Sequence, residues 1–383
     1  MTQLEQESES KKDLNIRTAQ LVQLLSDLGP DIPEIARRLG QYKESVRYRY
    51  KEKILNSGFA VQAMPDHEKL GLRRVFMIAD FGEEYRAYAQ PIMIAMNELC
   101  YVVGYTKTIP DGRFIISASV PVEYIASFQN FMYKLRDRGL FSHLEIFSFD
   151  WFKNVPMKAE HYDFNTGRWD FGWSAPSGNE FQVASYTPAQ TGKFDYLDLL
   201  LLKELMMDAN KPLTEIAEKL NVNYKKLAWH YATHVARERL IKFYRINWMG
   251  TRYDYKIEKA LHRKHRYVFV DLLVMNLDHV SRMRLMSKMA GLPFLWAEAS
   301  GIHYFAEIAF PVDFVTEGLQ YLEEVISPVR DQSKYFIMDQ TNALAFTIAY
   351  KLYDQTQKKW VFNEQELTLR FDNLIMKIKG GLD

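Results

Sequence analysis

"YDFNTGRWDF" at Tyr162–Phe171 returns near the other end of the chain as "YDQTQKKWVF" at Tyr353–Phe362. The Tyr, Asp, Trp and second Phe of the phrase keep their spacing, each moved by 191 positions. Two further phrases repeat in the same order. "IPEIARRLG" (Ile32–Gly40) becomes "LTEIAEKLN" (Leu213–Asn221), 181 on, and "VPVEYI" (Val120–Ile125) becomes "FPVDFV" (Phe310–Val315), 190 on. Three matches in one order, with a shift that grows in one direction, indicate a duplication whose second copy carries a longer loop. The stretch "WMGTRYDYKIEKALHRKHR" (Trp248–Arg266) is the place for that loop, and the units are expected at about 14–192 and 193–383.

The first half of each unit reads as three helices and a strand hairpin. In unit 2, Leu197, Leu201, Leu202 and Leu205 form a helical stripe, and "ANKP" ends it. A short helix follows with Ile216, Ala217 and Leu220, then the turn "NVN", then a helix with Leu227, Tyr231 and Val235 on its buried side. Unit 1 repeats the plan, with Pro33 in the first turn of its short helix and Gly58 ending its third. Helix, short helix, turn, helix and hairpin make a winged helix-turn-helix, whose third helix enters the DNA major groove.

The second half reads β-α-β-β-α-β, a ferredoxin-like pattern. In unit 1 the strands are "RRVFMIADF", "CYVVGYTKT", "RFIISASV" and "FSHLEIFSFDW", with "IPDG" as a hairpin turn between the middle pair. Unit 2 gives "YVFVDLLVM", "PFLWAEAS", "IHYFAEIAF" and "SKYFIMDQT" in the same order. The expected fold class is therefore α+β, in two tandem units. The domain plan is a disordered leader (1–13), a winged helix-turn-helix (14–70), a ferredoxin-like domain (71–152), a Trp-rich tail or linker (153–192), a second winged helix-turn-helix (193–265), a second ferredoxin-like domain (266–341) and a C-terminal tail (342–383).

Bulk properties narrow the function. A net charge of +1 means that nucleic-acid binding must come from local patches. With Val46 and Tyr50 inward, the third helix of unit 1 turns Glu44, Arg47, Tyr48 and Lys51 outward, with Lys43 and Ser45 beside them. Arginine and lysine there can reach phosphates or guanine edges, and tyrosine phosphates or base methyls. The counterpart in unit 2 offers Lys225, Lys226 and Trp229 with two alanines, as much a protein-contact face as a DNA face. The single cysteine, Cys100, excludes an intrachain disulfide framework and reads as a buried small hydrophobe. No apolar run reaches the roughly 18 residues of a membrane span, and the polar start is not a signal peptide. Cytoplasmic, nucleoid-associated placement is expected.

A winged helix-turn-helix followed by a ferredoxin-like domain resembles the leucine-responsive regulator (Lrp/AsnC) family. "FDYLDLLLLKEL…LTEIAEKLNV" is similar to that family's opening, with Asp195 and Asp198 at its acidic positions, and "SVRYRYKEKILNSGF" to the end of its DNA-binding domain. The resemblance implies a transcriptional regulator that binds double-stranded DNA and self-associates. Fusion of two units implies an internal pseudo-dimer, with Ile115, Ser117, Phe305 and Glu307 near the joint. The family's small-molecule signature is a glycine with a nearby acid in the loop between the second and third strands, for which unit 1 offers Gly104 or Gly112 with Asp111, and unit 2 Gly301 without a following acid; the same glycines also read as hairpin turns, so the effector stays unknown.

Catalytic residues, metal ligands and cofactors are not expected. No phosphate loop or nucleophile elbow is present. His230 and His234 are four apart on a helix without a visible third ligand, and His262 and His265 lie in a basic run. The protein is thus expected not to be an enzyme. One enzyme family, the siroheme decarboxylases, resembles the same two-domain plan, sometimes as a fused pair, and stands as the alternative beside a non-DNA assembly or adaptor protein.

Overall fold

The computed structural model describes residues 3–173, 191–248 and 267–380. The basic run with His262 and His265, and all but the first residue of the stretch expected to hold the longer loop, lie outside them. In unit 1, α1 (Gln3–Leu28), α2 (Ile32–Leu39) and α3 (Lys43–Arg49) form the helix-turn-helix. The Asp31 side chain caps α2 by accepting Glu34 N–H at 3.1 Å, Pro33 sits in its first turn, and Gly40 ends it at φ 62°. A wider π-helical turn, Tyr50–Leu55, extends α3. Leu21, Leu25, Ile35, Val46 and Ile54 close the core. The leader expected to be disordered is instead helical from Gln3. Its boundary misread a polar helix surface: Asp13 and Arg17 pair at 2.8 Å one turn apart, support that hydropathy does not register.

The chain continues through β1 (Ala60–Pro65), β2 (Leu72–Phe81), α4 (Ala89–Leu99), β3 (Val102–Ile109), β4 (Phe114–Pro121), α5 (Ile125–Asp137) and β5 (Phe141–Ser148). Pro91 falls in the first turn of α4, where its missing N–H is harmless. Then come β6 (Trp151–Asn154) and the two-residue strands β7 (Tyr162–Asp163) and β8 (Arg168–Trp169). Unit 2 repeats the order with α6 (Tyr196–Met207), α7 (Leu213–Lys219), α8 (Tyr224–His230), a second π-helical turn Tyr231–Ala236, and β9 (Ile241–Asn247). Its ferredoxin-like part is β10 (Tyr267–Val274), a helix His279–Gly291, β11 (Leu295–Ser300), β12 (Tyr304–Pro311), a helix Val315–Ile326, and β13 (Ser333–Ala345). It ends with β14 (Tyr353–Asp354), β15 (Lys359–Trp360) and a helix Glu364–Lys379. The α+β, two-unit fold class is the expected one.

The units are interlocked rather than adjacent. Each helix-turn-helix contributes one strand, and these pair with each other: β1 runs antiparallel to β9, with Val61 opposite Ile246 and Ala63 opposite Tyr244. No wing hairpin forms within either unit among the described residues, because each strand meets its partner in the other copy. The two ferredoxin-like sheets, ordered β5-β2-β4-β3 and β13-β10-β12-β11, join through β3 and β13, and β6 adds to β11. The nine-stranded sheet thus begins with β5 and ends with β6, which only Phe149 and Asp150 separate in the chain. Its two ends are therefore brought together, and it curls around an interior.

Alternation decides what fills that interior. Val75, Met77 and Ala79 face the helices, while Phe76 and Ile78 face inward to meet Ile115, Leu273, Phe305 and Phe336. The rings of Phe76 and Phe305 lie 4.1 Å apart across the joint. Ile115, Ser117, Phe305 and Glu307, expected near the joint, stand on it.

The repeated Trp phrases form two small hairpins, Tyr162 opposite Trp169 and Tyr353 opposite Trp360. Trp169 is buried beside Trp248 and Phe294 of unit 2, and its Nε1–H donates to the Tyr267 hydroxyl at 3.0 Å. The same hairpin is tied to its own helix-turn-helix by Asn15, which accepts Phe164 N–H at 2.8 Å. Trp360 mirrors this, donating to the Leu70 carbonyl at 2.7 Å beside Tyr101, while Tyr353 packs on Phe194 of its own unit. Each hairpin clamps its own helix-turn-helix to the other unit's ferredoxin-like domain.

Candidate active site

At one end of the curled sheet the inward positions turn from apolar to ionisable. Arg74 precedes Phe76 on β2, Ser117 follows Ile115 on β4, Asp271 precedes Leu273 on β10, and Glu307 follows Phe305 on β12. The β1–β9 pair adds Arg245 and, just past β1, His67. Together with Trp296, Phe152 and Phe269 they line a cavity of about 310 Å³ between the units. The copies are not equivalent here. Asp271 lies opposite Glu307 in the ladder, where unit 1 sets Phe76 opposite Ser117. Two acids thus come from unit 2's sheet, and a cation and a hydroxyl from unit 1's.

The Arg74 guanidinium donates to Ser117 Oγ at 3.1 Å, lies 4.4 Å over the Phe152 ring, and comes within 3.5 Å of His67 Nε2. Arg245 lies 4.0 Å over the Trp296 ring, donates to the Trp296 carbonyl at 3.2 Å, and also bonds Asn154 Oδ1. Burial pulls Arg74 down to about 10, against the pull of Glu307, and Arg245 down to about 9. Both remain cations at neutral pH. Burial, then the charges of Arg74 and Lys242, hold His67 neutral. Burial, then the charge of Glu307, pushes Asp271 well above the carboxylate range, so it keeps its proton. Four polar atoms here have no hydrogen-bond partner among the described residues: His67 Nδ1, Arg74 Nε, Arg245 Nε and Asp271 Oδ2. Buried polar atoms are almost always paired, so this set is free to bond water or a polar ligand. The arrangement can hold carboxylates on two guanidiniums and deliver a proton from a neutral acid.

Sequence reasoning missed these residues. Arg74 sits inside a stretch read only as a strand, and Arg245 and Asp271 are brought to it from about 170 and 200 residues away. The one signal available was an acid, Asp271, at an inward position of a buried strand.

The nine residues expected to contact DNA all stand on the surface, and none lines the cavity. Lys43, Glu44, Ser45, Arg47, Tyr48 and Lys51 are exposed along α3 and its extension. Arg47 is already engaged, donating to both Glu44 carboxylate oxygens at 2.8 and 2.9 Å. Lys225, Lys226 and Trp229 are exposed on α8, with Trp229 55% open. Of the glycines weighed for an effector, Gly104 borders the cavity and Gly112 makes the β3–β4 turn at φ 71°. Gly301 packs against the Asp150 backbone. Cys100 is buried, and burial pushes its thiol pKa up.

The reading that no third ligand joins His230 and His234 is corrected. Asp198 lies between them, its Oδ1 2.9 Å from His230 Nδ1 and its Oδ2 2.7 Å from His234 Nδ1, and Asp195 stands 3.7 Å from His230. The first helix packs across the third, so residues 32 to 39 positions apart meet.

No protein-family model matches the sequence, and no curated protein does. Among solved structures, the crystal structure of the siroheme decarboxylase NirDL matches with a TM-score of 0.50 at 12% identity, covering 94% of this chain and 99% of that one. The structure of NirDL in co-complex with an iron-uroporphyrin III analogue matches with a TM-score of 0.49 at 10% identity, covering 91% and 93%. The likeness shows the fold alone, the α+β plan in two tandem units. Even so, it corrects the expectation that the protein is not an enzyme: the solved fold that this chain follows almost from end to end belongs to an enzyme. Among the described residues no helix is long and apolar enough to cross a membrane.

Proposed function

We propose that the protein is a decarboxylase that takes the acidic edge of a polycarboxylate tetrapyrrole of the siroheme type into the cavity between its units. The observation that carries this reading is the set of unpartnered polar atoms on Arg74, Arg245, His67 and Asp271. The likeness to a siroheme decarboxylase supports it. At about 310 Å³ the cavity is at the small end of ligand sites, so it receives the ring's carboxylated edge rather than the whole macrocycle.

The chemistry asks for little. An acetate side chain loses carbon dioxide as its carbon–carboxylate bond breaks, the electron pair passes into the conjugated ring, and a proton returns to the carbon. One proton is consumed and no oxidant is needed. Arg74 and Arg245 hold neighbouring carboxylates by charge-assisted hydrogen bonds. Trp296, Phe152 and Phe269 offer apolar faces to the ring. Asp271, kept neutral beside Glu307, donates the proton.

The test is incubation of the purified protein with siroheme under anaerobic conditions, with product masses followed by mass spectrometry. Stepwise loss of carbon dioxide is expected. In Asp271→Asn, turnover falls at least 100-fold while the absorbance change on binding persists. In Arg245→Met, binding weakens. Neither binding nor carbon dioxide release from the unaltered protein would overturn the reading.

A second reading, duplex DNA held by α3 of an Lrp/AsnC-type regulator, is supported by the exposure of Lys43, Tyr48 and Lys51 on one face. The ion pair between Arg47 and Glu44 weighs against it, because a carboxylate beside the reading cation repels phosphate.

A further inference from the structure

We infer that Asp195, Asp198, His230 and His234 form a binding site for a divalent first-row transition-metal cation, zinc being the probe, at the helix junction of the second helix-turn-helix. The four donor atoms lie within 4.8 Å of one another. Asp195 and Asp198 are one turn apart at the start of α6, and His230 and His234 are one turn apart where α8 passes into its π-helical extension.

Two imidazoles and two carboxylates make a complete donor set for four-coordinate zinc, and the two anionic charges balance the dication. Zinc bonds of about 2.0–2.2 Å place tetrahedral donors roughly 3.3–3.5 Å apart. The two separations of Asp198 from the imidazoles, 2.7 and 2.9 Å, lie just inside that value, so small side-chain rotations admit the ion. Asp195 Oδ1 accepts Leu197 N–H at 2.9 Å and Asp198 N–H at 3.3 Å, which leaves its Oδ2 to ligate. The Asp198 side chain is fully buried, whereas Asp195 and His234 are open enough for a cation to enter from solvent.

Part of the cluster caps α6: Asp195 N–H donates to Asp198 Oδ2 at 2.8 Å, and Asp195 Oδ1 accepts Leu197 N–H. Capping accounts for the two acids but not for the two imidazoles set against Asp198, and the tandem copy, whose α1 runs unbroken from Gln3 to Leu28 through the matching positions, places neither there. The corresponding positions in unit 1 are Asn15, Thr18, Arg49 and Lys53. Thr18 is as deeply buried as Asp198, yet it only donates its hydroxyl to the Leu14 carbonyl at 2.8 Å, and Arg49 turns to Gln41 Oε1 at 2.9 Å. The same junction therefore closes without an acid or an imidazole. A buried carboxylate is costly, and only the second copy carries one, with two imidazoles on it. Bound metal would fasten α6 to α8 and fix the helix that presents Lys225, Lys226 and Trp229.

The test uses the full chain, free of affinity-tag histidines and treated with chelator. Zinc is measured by equilibrium dialysis, and Co²⁺ is titrated with visible absorption as the coordination readout. One equivalent of zinc, intense tetrahedral Co²⁺ bands and quenching of Trp229 emission are expected, since its ring lies 5.1 Å from both imidazoles. His234→Gln combined with Asp195→Asn should weaken zinc binding at least tenfold, while His262→Ala with His265→Ala leaves it unchanged. Absence of stoichiometric binding, or octahedral Co²⁺ bands alone, would overturn the site. So would binding that survives the first pair of changes and is lost with the second. The Co²⁺ spectrum of the unaltered protein decides the matter even if a variant misfolds.

Discussion

Replacing Trp169 with alanine removes the ring that joins unit 1's hairpin to unit 2. Trp169 is only 7% exposed and packs on Tyr162, Trp248 and Phe294 at centroid distances of 5.1–5.3 Å. Removing a buried tryptophan costs about 3–5 kcal/mol through lost burial and the cavity left behind. The hydrogen bond to Tyr267 adds about 1 kcal/mol. The total of roughly 4–6 kcal/mol is a large share of the ~5–15 kcal/mol that holds a typical protein folded. With an m-value of about 3 kcal/mol/M in urea, the midpoint falls by about 1.3–2 M. The assay is equilibrium urea unfolding followed by far-ultraviolet circular dichroism. Trp229→Ala is the control, because its ring is 55% exposed and its loss should stay within about 0.5 kcal/mol. A Trp169→Ala midpoint within about 0.3 M of the unaltered protein, or an equal loss in Trp229→Ala, would refute the hairpin as a clamp.

Asp271→Asn should gain stability relative to the unaltered protein as pH rises. The folded chain raises the Asp271 pKa, so the stability linked to its proton is full below about pH 4, the unfolded value, and is lost as pH climbs towards the folded one. Melting temperatures from pH 5 to 8 check this, and parallel curves for the two proteins would contradict it. Gly318→Ala should destabilise by about 1–3 kcal/mol, measured by thermal melting, because a Cβ there would meet the buried Phe310 ring at 2.3 Å. If α3 reads DNA, Arg47→Ala with Lys51→Ala weakens duplex binding by roughly 2–5 kcal/mol in a titration at two salt concentrations. An unchanged affinity removes that reading.

The duplication was legible because matched phrases such as "VPVEYI" and "FPVDFV" kept their order, and because strand and helix periods survive in short stretches. The βαββαβ halves followed from the same local patterns. What each unit does to the other was not legible. The strand after each third helix has the pattern of a half-buried strand whatever its partner, so Val61 gave no sign of pairing with Ile246. β6 is four residues long and looks like the end of β5 until the sheet is seen to close. The cavity was hidden for the same reason, since Arg74, Arg245 and Asp271 become neighbours only once the copies interlock. The junction at Asp198 could have been found. The pairs Asp195/Asp198 and His230/His234 have one-turn spacing, and the first and third helices of a helix-turn-helix pack together.

The crossed hairpins impose an order on biogenesis. Tyr101 and the Leu70 carbonyl of unit 1 receive their cover from Trp360, whose residue leaves the ribosome about 260 positions after Tyr101. At translation rates of ~5–20 residues per second that is a wait of roughly 13–50 s. Until β9 is made the first unit holds an unpaired β1 edge, and until Trp360 arrives it holds uncovered aromatic surface, both of which invite association with other nascent chains. Neither half can reach its finished surface before the other exists, so the duplication, once fixed, made the two halves obligate partners in a single folding event.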